Sequence, residues 1–222
     1  MPVMPMFPLG SVLLPGAPLS LHVFEPRYRA LVRDCLAAPE PEFGVVMIER
    51  GSEVGGGDQR AAVGTVARMV QVAELDDGRF AVICIGTRRI RVVSWLPDDP
   101  YPIAQVEEWP DEWSGRVEAE GAFWSQADGI GRRIRRAAAL ANELGDVTGD
   151  LAGAGVVDPA GDVVGTSYLL AAMSLAGPAD LAALLAASGP VARLDRLEQV
   201  IGDIEALLQF RLAHDDPTPF DT

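Results

Sequence analysis

Residues 7–32 read FPLGSVLLPGAPLSLHVFEPRYRALV, and the first ionisable acid or base in the stretch other than His22 is Glu25. Pro2, Pro5, Pro8, Pro15 and Pro18 exclude a continuous helix from Met1 to Pro18, because each ring removes an N–H donor. The Phe, Leu and Val residues between them still demand burial, so the segment must be short extended pieces joined by turns. Leu19, Leu21 and Val23 alternate with Ser20 and His22, the period of a half-buried strand. The chemistry then changes within three residues. Pro26 suits the first turn of a helix, and Glu25 places negative charge, and a possible cap, at its N-terminus. Leu31, Val32, Cys35 and Leu36 follow at helical spacing, so the order is strand, cap, helix.

Outward from this stretch, the composition sets limits. The chain has 222 residues, 49% hydrophobic and 23% charged, as expected of a globular protein with a real core. Its formal charge is −14, which repels nucleic acids and anionic membrane surfaces. All 18 basic residues are arginine; lysine is absent. The first basic residue is Arg27, and prolines break the apolar run before it, so no secretory signal is expected. The uncharged stretch Val163 to Ala179 contains Gly165, Gly177 and Pro178 and is short for a membrane span. Cys35 and Cys84 lie far apart and outside any CxxC pattern, as two reduced thiols of a cytoplasmic protein would.

Along the chain, Phe43 to Ile48 reads as a buried strand, and Glu49 to Arg60, with Gly55, Gly56 and Gly57, as a surface loop. No Lys-Ser/Thr follows the glycines, so they make no phosphate cradle. Val63 to Leu75 and Phe80 to Trp95 read as two strands joined by an Asp77-Gly78 turn. Ala81, Ile83 and Ile85 share one parity, Ile90 and Val92 the other, which predicts a β-bulge near Gly86. Tyr101 to Glu107 is a further strand. The strand pattern stops between Trp109 and Gly115, and the period becomes helical. Helices are expected from Val117 to Leu144, Thr166 to Ala176, Asp180 to Ser188, and from Pro190 onward. Phe123, Ile130, Ile134, Leu140 and Leu144 form the first stripe; Leu194, Leu197, Ile201, Ile204 and Leu208 form the last. Gly145 to Gly165 reads as a loop. The expected division is a β-rich subdomain over 1–115, a helical subdomain over 116–214 and a disordered tail over 215–222.

Several blocks in this order resemble the N-terminal, substrate-binding domain of Lon proteases, in the free-standing form found in bacteria. They are Phe7-Pro8-Leu9, Val12 to Gly16, Pro18 to Leu21 and Phe24-Glu25-Pro26-Arg27-Tyr28, then Phe43 to Val46, Glu53-Val54-Gly55, Val63 to Ala67, Asp77-Gly78-Arg79, Gly86 to Arg89 and Pro100-Tyr101-Pro102. The resemblance covers the first half closely and the helical half loosely. It implies an α+β fold: an N-terminal, mostly antiparallel β pseudo-barrel of the PUA-like kind with one packed helix, followed by a C-terminal α-helical bundle.

The residue inventory excludes much chemistry. Lon-type peptidases use a Ser-Lys dyad and their motor a phosphate-binding lysine; with no lysine, these residues supply neither. His22 and His214 are the two histidines, and no G-x-S-x-G turn accompanies them, so no catalytic residue is assigned. Two distant Cys and two distant His make no zinc site, and no metal or other cofactor is expected. Arg88, Arg89 and Arg91, and Arg132, Arg133, Arg135 and Arg136, form basic clusters without interleaved aromatic residues, so pairing with the acidic excess is expected rather than nucleic-acid binding. What remains is recognition of polypeptides without chemistry. The resemblance implies unfolded or degron-bearing polypeptides as partners, with a protease or chaperone alongside, and no nucleic acid or membrane. The candidate substrate-binding residues are Glu25, Arg27, Tyr28, Arg29 and Arg33, at the first helix on the border of a groove; the surface between the β half and the final helices and the glycine loop around Gly55 are the other candidate surfaces. A scaffold that binds one folded partner and an RNA-binding PUA-like domain are the alternative readings.

Overall fold

In a computed structural model, the structure describes residues 1–50, 59–113, 115, 117–145 and 161–214. The early prolines leave two short strands, β1 (Val3–Leu9) and β2 (Pro18–Val23), ahead of helix α1 (Pro26–Ala37). Strands β3 (Glu42–Arg50), β4 (Gln59–Glu74), β5 (Phe80–Leu96) and β6 (Ile103–Glu108) follow. The expected loop from Glu49 to Arg60 is trimmed at both ends, since Arg50 pairs with Gln59 as the strands run on. The glycines at 55–57 lie outside the described residues.

The sheet order is β2-β5-β4-β3-β1-β6, and β6 also pairs with β5. Five strands therefore close into a ring, with β2 attached to β5 outside it. Pairing is antiparallel except between β1 and β3. Every ring strand places a residue in one buried cluster, Met6, Val46, Val66, Ile90, Ala104 and Val106, which fills the ring. Gly44 belongs here because a Cβ at that position would collide with Met6. Neighbours of opposite parity, Phe7, Val45 and Ala67, face outward onto α1, whose Tyr28, Leu31, Val32 and Cys35 join them. Alternation along each strand thus serves two cores.

The bulge expected near Gly86 is present. Thr65 pairs with Arg89 but Ala67 with Gly86, so β5 carries one extra residue there and its parity flips. The buried set before the flip is Phe80, Val82 and Cys84; Ile83 and Ile85, read from the sequence as the apolar face, are 40% and 36% exposed. Phe80, Val82 and Cys84 share the cluster with the α1 residues Tyr28, Leu31, Val32 and Cys35, and Ile83 and Ile85 point to the other side of the strand. The segment after β1 closes over the bulge: Gly16 N–H donates to the Gly86 C=O (2.8 Å), Gly86 N–H to the Ala17 C=O (2.9 Å), and Thr65 Oγ1 to the Leu13 C=O (2.6 Å).

Contacts within the chain divide it into two units, 1–111 with 181–186, and 112–180 with 187–222. In the second, α2 (Val117–Glu143), α3 (Val163–Ala172) and α5 (Pro190–His214) pack together; α4 (Pro178–Leu185) contributes its last turns to the first. Helix α3 begins three residues before the expected Thr166, because the Asp162 carboxylate caps it by accepting from the Val164 and Gly165 N–H groups. Of the α5 stripe, Leu194, Leu197, Ile201 and Leu208 are buried and Ile204 is half-buried. On α2, Phe123, Ile130 and Ile134 are buried, and toward its end Ala137 and Ala141 meet Leu208. The tail at 215–222 lies outside the described residues.

Candidate functional site

The residues that leave the strand pattern at Phe24 build one corner of the β unit. Proline at the first helical position starts α1, and the Glu25 C=O accepts from the Arg29 N–H (2.9 Å). The Glu25 side chain, however, caps no N–H of the helix, contrary to the expected capping role. It pairs instead with Arg27 Nε at 3.0 Å, and the Arg27 guanidinium lies 4.6 Å from the Tyr28 ring centre. Salt bridge and cation–π contact use the same cation, so the carboxylate, guanidinium and ring are mutually placed. Tyr28 is 4% exposed and stacks on Phe7 at 4.0 Å.

Beside this corner opens a cleft of about 210 Å³ lined by Phe7, Leu9, Ser20 to Phe24, Glu25 and Tyr28. Its walls are mainly apolar, and Phe24, at 57% exposure, is a large hydrophobic side chain left in solvent at its rim. Of the expected residues, Glu25 and Tyr28 line the cleft, and Arg27 joins them through its pair and ring contacts. Arg29 and Arg33 turn elsewhere. Arg29 lies against Gly78 of the β4–β5 turn, where φ is +77° and an added Cβ would strike its guanidinium; its Nε is buried without a hydrogen-bond partner. Arg33 reaches Glu74 of β4 at 3.2 Å, both side chains about half exposed. The geometry therefore splits the candidates between the cleft and the hairpin.

On the buried side of α1, Cys35 and Cys84 are free thiols. Burial pushes each up to about 12, helped for Cys35 by the neighbouring Asp34 carboxylate and Cys84. Tyr101 donates to Asp34 Oδ2 at 2.7 Å; burial first, and that bond second, hold its hydroxyl well above its ordinary value. Neither group is poised for nucleophilic work. Among the described residues, no three of His, Cys, Asp or Glu gather as metal ligands, and no helix is long and apolar enough to cross a membrane.

The basic clusters are engaged internally. Arg88 bridges Glu42 (2.7 Å) and Glu108 (3.0 Å), and Glu42, itself buried, also holds Arg68 (2.9 Å). Arg89 is buried and donates to the C=O groups of Trp109, Leu185 and Pro110. Trp109 lies 4.1 Å from both the Arg89 and Arg91 guanidinium groups, an aromatic contact that its distance in sequence concealed. In the helical unit Arg133 and Arg136 share Glu205 at 2.9 and 3.0 Å, and Arg132 pairs with Asp128. Carboxylates of the same chain thus pair with Arg88, Arg91, Arg132, Arg133 and Arg136.

The sequence profile of the ATP-dependent protease La (LON) substrate-binding domain matches residues 3–202. Among curated proteins the chain is 34% identical over 119 residues to Lon protease 2 of Sorangium cellulosum, covering 52% of this chain and 15% of that protein. It is 27% identical over 120 residues to a LON peptidase N-terminal domain and RING finger protein of Schizosaccharomyces pombe, covering 49% of this chain and 24% of that protein. The chain thus spans a small part of these relatives. Among solved structures, a Lon N-terminal domain protein from Xanthomonas campestris superposes with TM-score 0.62 at 28% identity, over 90% of this chain and 98% of that one. The N-terminal domain of Mycobacterium avium complex Lon protease has the same TM-score, 0.62, at 18% identity over 91% of this chain and 99% of that one, a likeness of fold.

Proposed function

We propose that this chain, which belongs to the LON substrate-binding domain family, recognises polypeptide segments through the cleft at the start of α1. The observation that carries the reading is the cleft itself: open, mainly apolar, and rimmed by an exposed phenylalanine and an internally paired carboxylate. Such a surface suits segments that expose apolar side chains, with modest affinity for each and tolerance of sequence. Glu25, Tyr28 and, through them, Arg27 would contact the client; Arg29 and Arg33 would act on the neighbouring hairpin.

The chain breaks no bonds in this reading. Its 222 residues contain no lysine for a Ser-Lys dyad or a nucleotide phosphate. Its role is to gather unfolded or degron-bearing segments and hand them to, or withhold them from, an unfoldase and protease. Two free, buried thiols fit a cytoplasmic site of action. The test is fluorescence anisotropy of one labelled protein, unfolded and folded, titrated with this chain at low and high salt. Selective binding of the unfolded form, nearly independent of salt, supports the reading. Binding of neither form, or only of the folded one, overturns it.

A further inference from the structure

Closure of the ring removes the edges of five strands, and β2 is the strand left pairing on one side only, with β5, among the described residues. Its free edge can be placed residue by residue. Gly86 N–H donates to the Ala17 C=O, and Ala17 opposite Gly86 continues the register that sets Pro18 against Ile85. Hydrogen-bonded pairs alternate along an antiparallel ladder, so Leu19, Leu21 and Val23 bond to Cys84, Val82 and Phe80. Leu75 N–H donating to the Arg79 C=O sets the same alternation from the other side of β5. Ser20 and His22 therefore turn their N–H and C=O groups to the open edge.

The cleft lies along that edge. It touches Ser20, Leu21, His22 and Val23 in succession. Consecutive strand residues point to opposite faces, so a surface that meets all four must follow the strand's side. Exposed edges are ordinarily blocked by charges, above all lysine, or by bulges. From Pro18 to Val23 there is no acid, arginine or lysine, and the proline stands only at the start. The one carboxylate in the lining is Glu25, and the whole chain carries −14, so an acidic segment is disfavoured.

Resting on the function proposed above, we infer that the cleft takes its polypeptide as an added β-strand. An extended, neutral or cationic segment pairs with the Ser20 and His22 main chain, and every second side chain enters the apolar side formed by Phe7, Leu9, Leu21 and Tyr28. The six residues of β2 span about 20 Å, room for a segment of similar length.

The experiment uses the full chain and a fluorescent peptide of about eight residues alternating Val or Phe with Thr, ending in Arg. Copies of it are N-methylated at one position at a time. Strand addition predicts an alternating pattern: methylation at residues bonded to β2 weakens binding about tenfold, and at the residues between them less than about twofold. Ser20→Pro, which removes an edge N–H where proline is tolerated, weakens binding about three- to tenfold with unchanged thermal stability, and Ser20→Ala does not. A flat methylation scan overturns strand addition and leaves polypeptide recognition standing. Failure of the unmodified peptide to bind also overturns strand addition; failure of an unfolded protein to bind overturns recognition as well.

Discussion

Replacing Phe24 by alanine separates binding from folding. The side chain is 57% exposed, so folding uses less than half of its surface and a bound segment can cover the rest. A phenylalanine offers roughly 200 Å², which leaves about 110 Å² for a partner. At about 25 cal/mol per Å², full coverage contributes up to about 2.8 kcal/mol. A segment in an open cleft covers about half to two-thirds of that area, so Phe24→Ala should weaken binding of an unfolded protein by about 1–2 kcal/mol, roughly five- to thirtyfold. Folding stability should fall by at most about 2 kcal/mol, the upper bound set by the roughly 90 Å² of the side chain that folding already buries. Anisotropy titration measures the first quantity and urea unfolding the second. Ile85→Ala is the control: Ile85 is 36% exposed but faces away from the cleft, and its loss should leave affinity within about twofold. Unchanged affinity in Phe24→Ala, or a larger loss in Ile85→Ala, would refute the assignment of the cleft.

The remaining predictions concern the frame. Gly86→Ala drives a Cβ into the Leu14 main chain and lifts the segment over the bulge, breaking the Gly16, Ala17 and Thr65 bonds; a loss of about 2–4 kcal/mol in urea unfolding is expected, and a change below about 1 kcal/mol would contradict the packing. At Glu205, burial raises the carboxyl, but hydrogen bonds and charge from Arg133 and Arg136 outweigh it and hold it below its ordinary value. That stability is present above the unfolded carboxyl value and lost as pH falls through the folded one, so Glu205→Gln should flatten the acid limb of the stability–pH curve. For Cys35 and Cys84 the sign is opposite: folded values near 12 against an ordinary 9.0 give stability that is present below pH 9.0 and lost as pH rises toward 12. A thiol reagent at mildly alkaline pH should therefore react with neither cysteine in the native protein and with both in urea; equal rates in the two states would refute their burial.

What the sequence made legible was local. Pro26 placed the start of α1, the Asp77-Gly78 pair placed the hairpin, and the change of parity near Gly86 revealed a bulge that the ladder contains. The 3-4 spacing from Leu194 to Leu208 marked the buried face of α5. Long-range choices were hidden. Nothing in β5 alone says that its end pairs with β6 and closes a ring, nor that β1 runs parallel to β3. Burial of Phe80 and Cys84 in place of Ile83 and Ile85 depends on which face α1 covers, and both faces are apolar. Asp162 as a cap was lost inside a stretch rich in Gly and Asp. At the site, the motif Phe24 to Tyr28 falls at the corner where the cleft opens. Helical spacing carried Arg29 and Arg33 around the helix to the hairpin, away from the cleft. Ser20 and His22 were read as the solvent side of a strand; that their main chain forms a free edge follows only from topology.

Hydrogen exchange of the full chain with and without a saturating unfolded client tests the central claim most directly. Recognition in the cleft predicts new protection confined to residues 18–30, with the amides of Ser20 and His22 among the most slowed. Protection confined to the helices of the second unit, or none despite measurable binding, would contradict it.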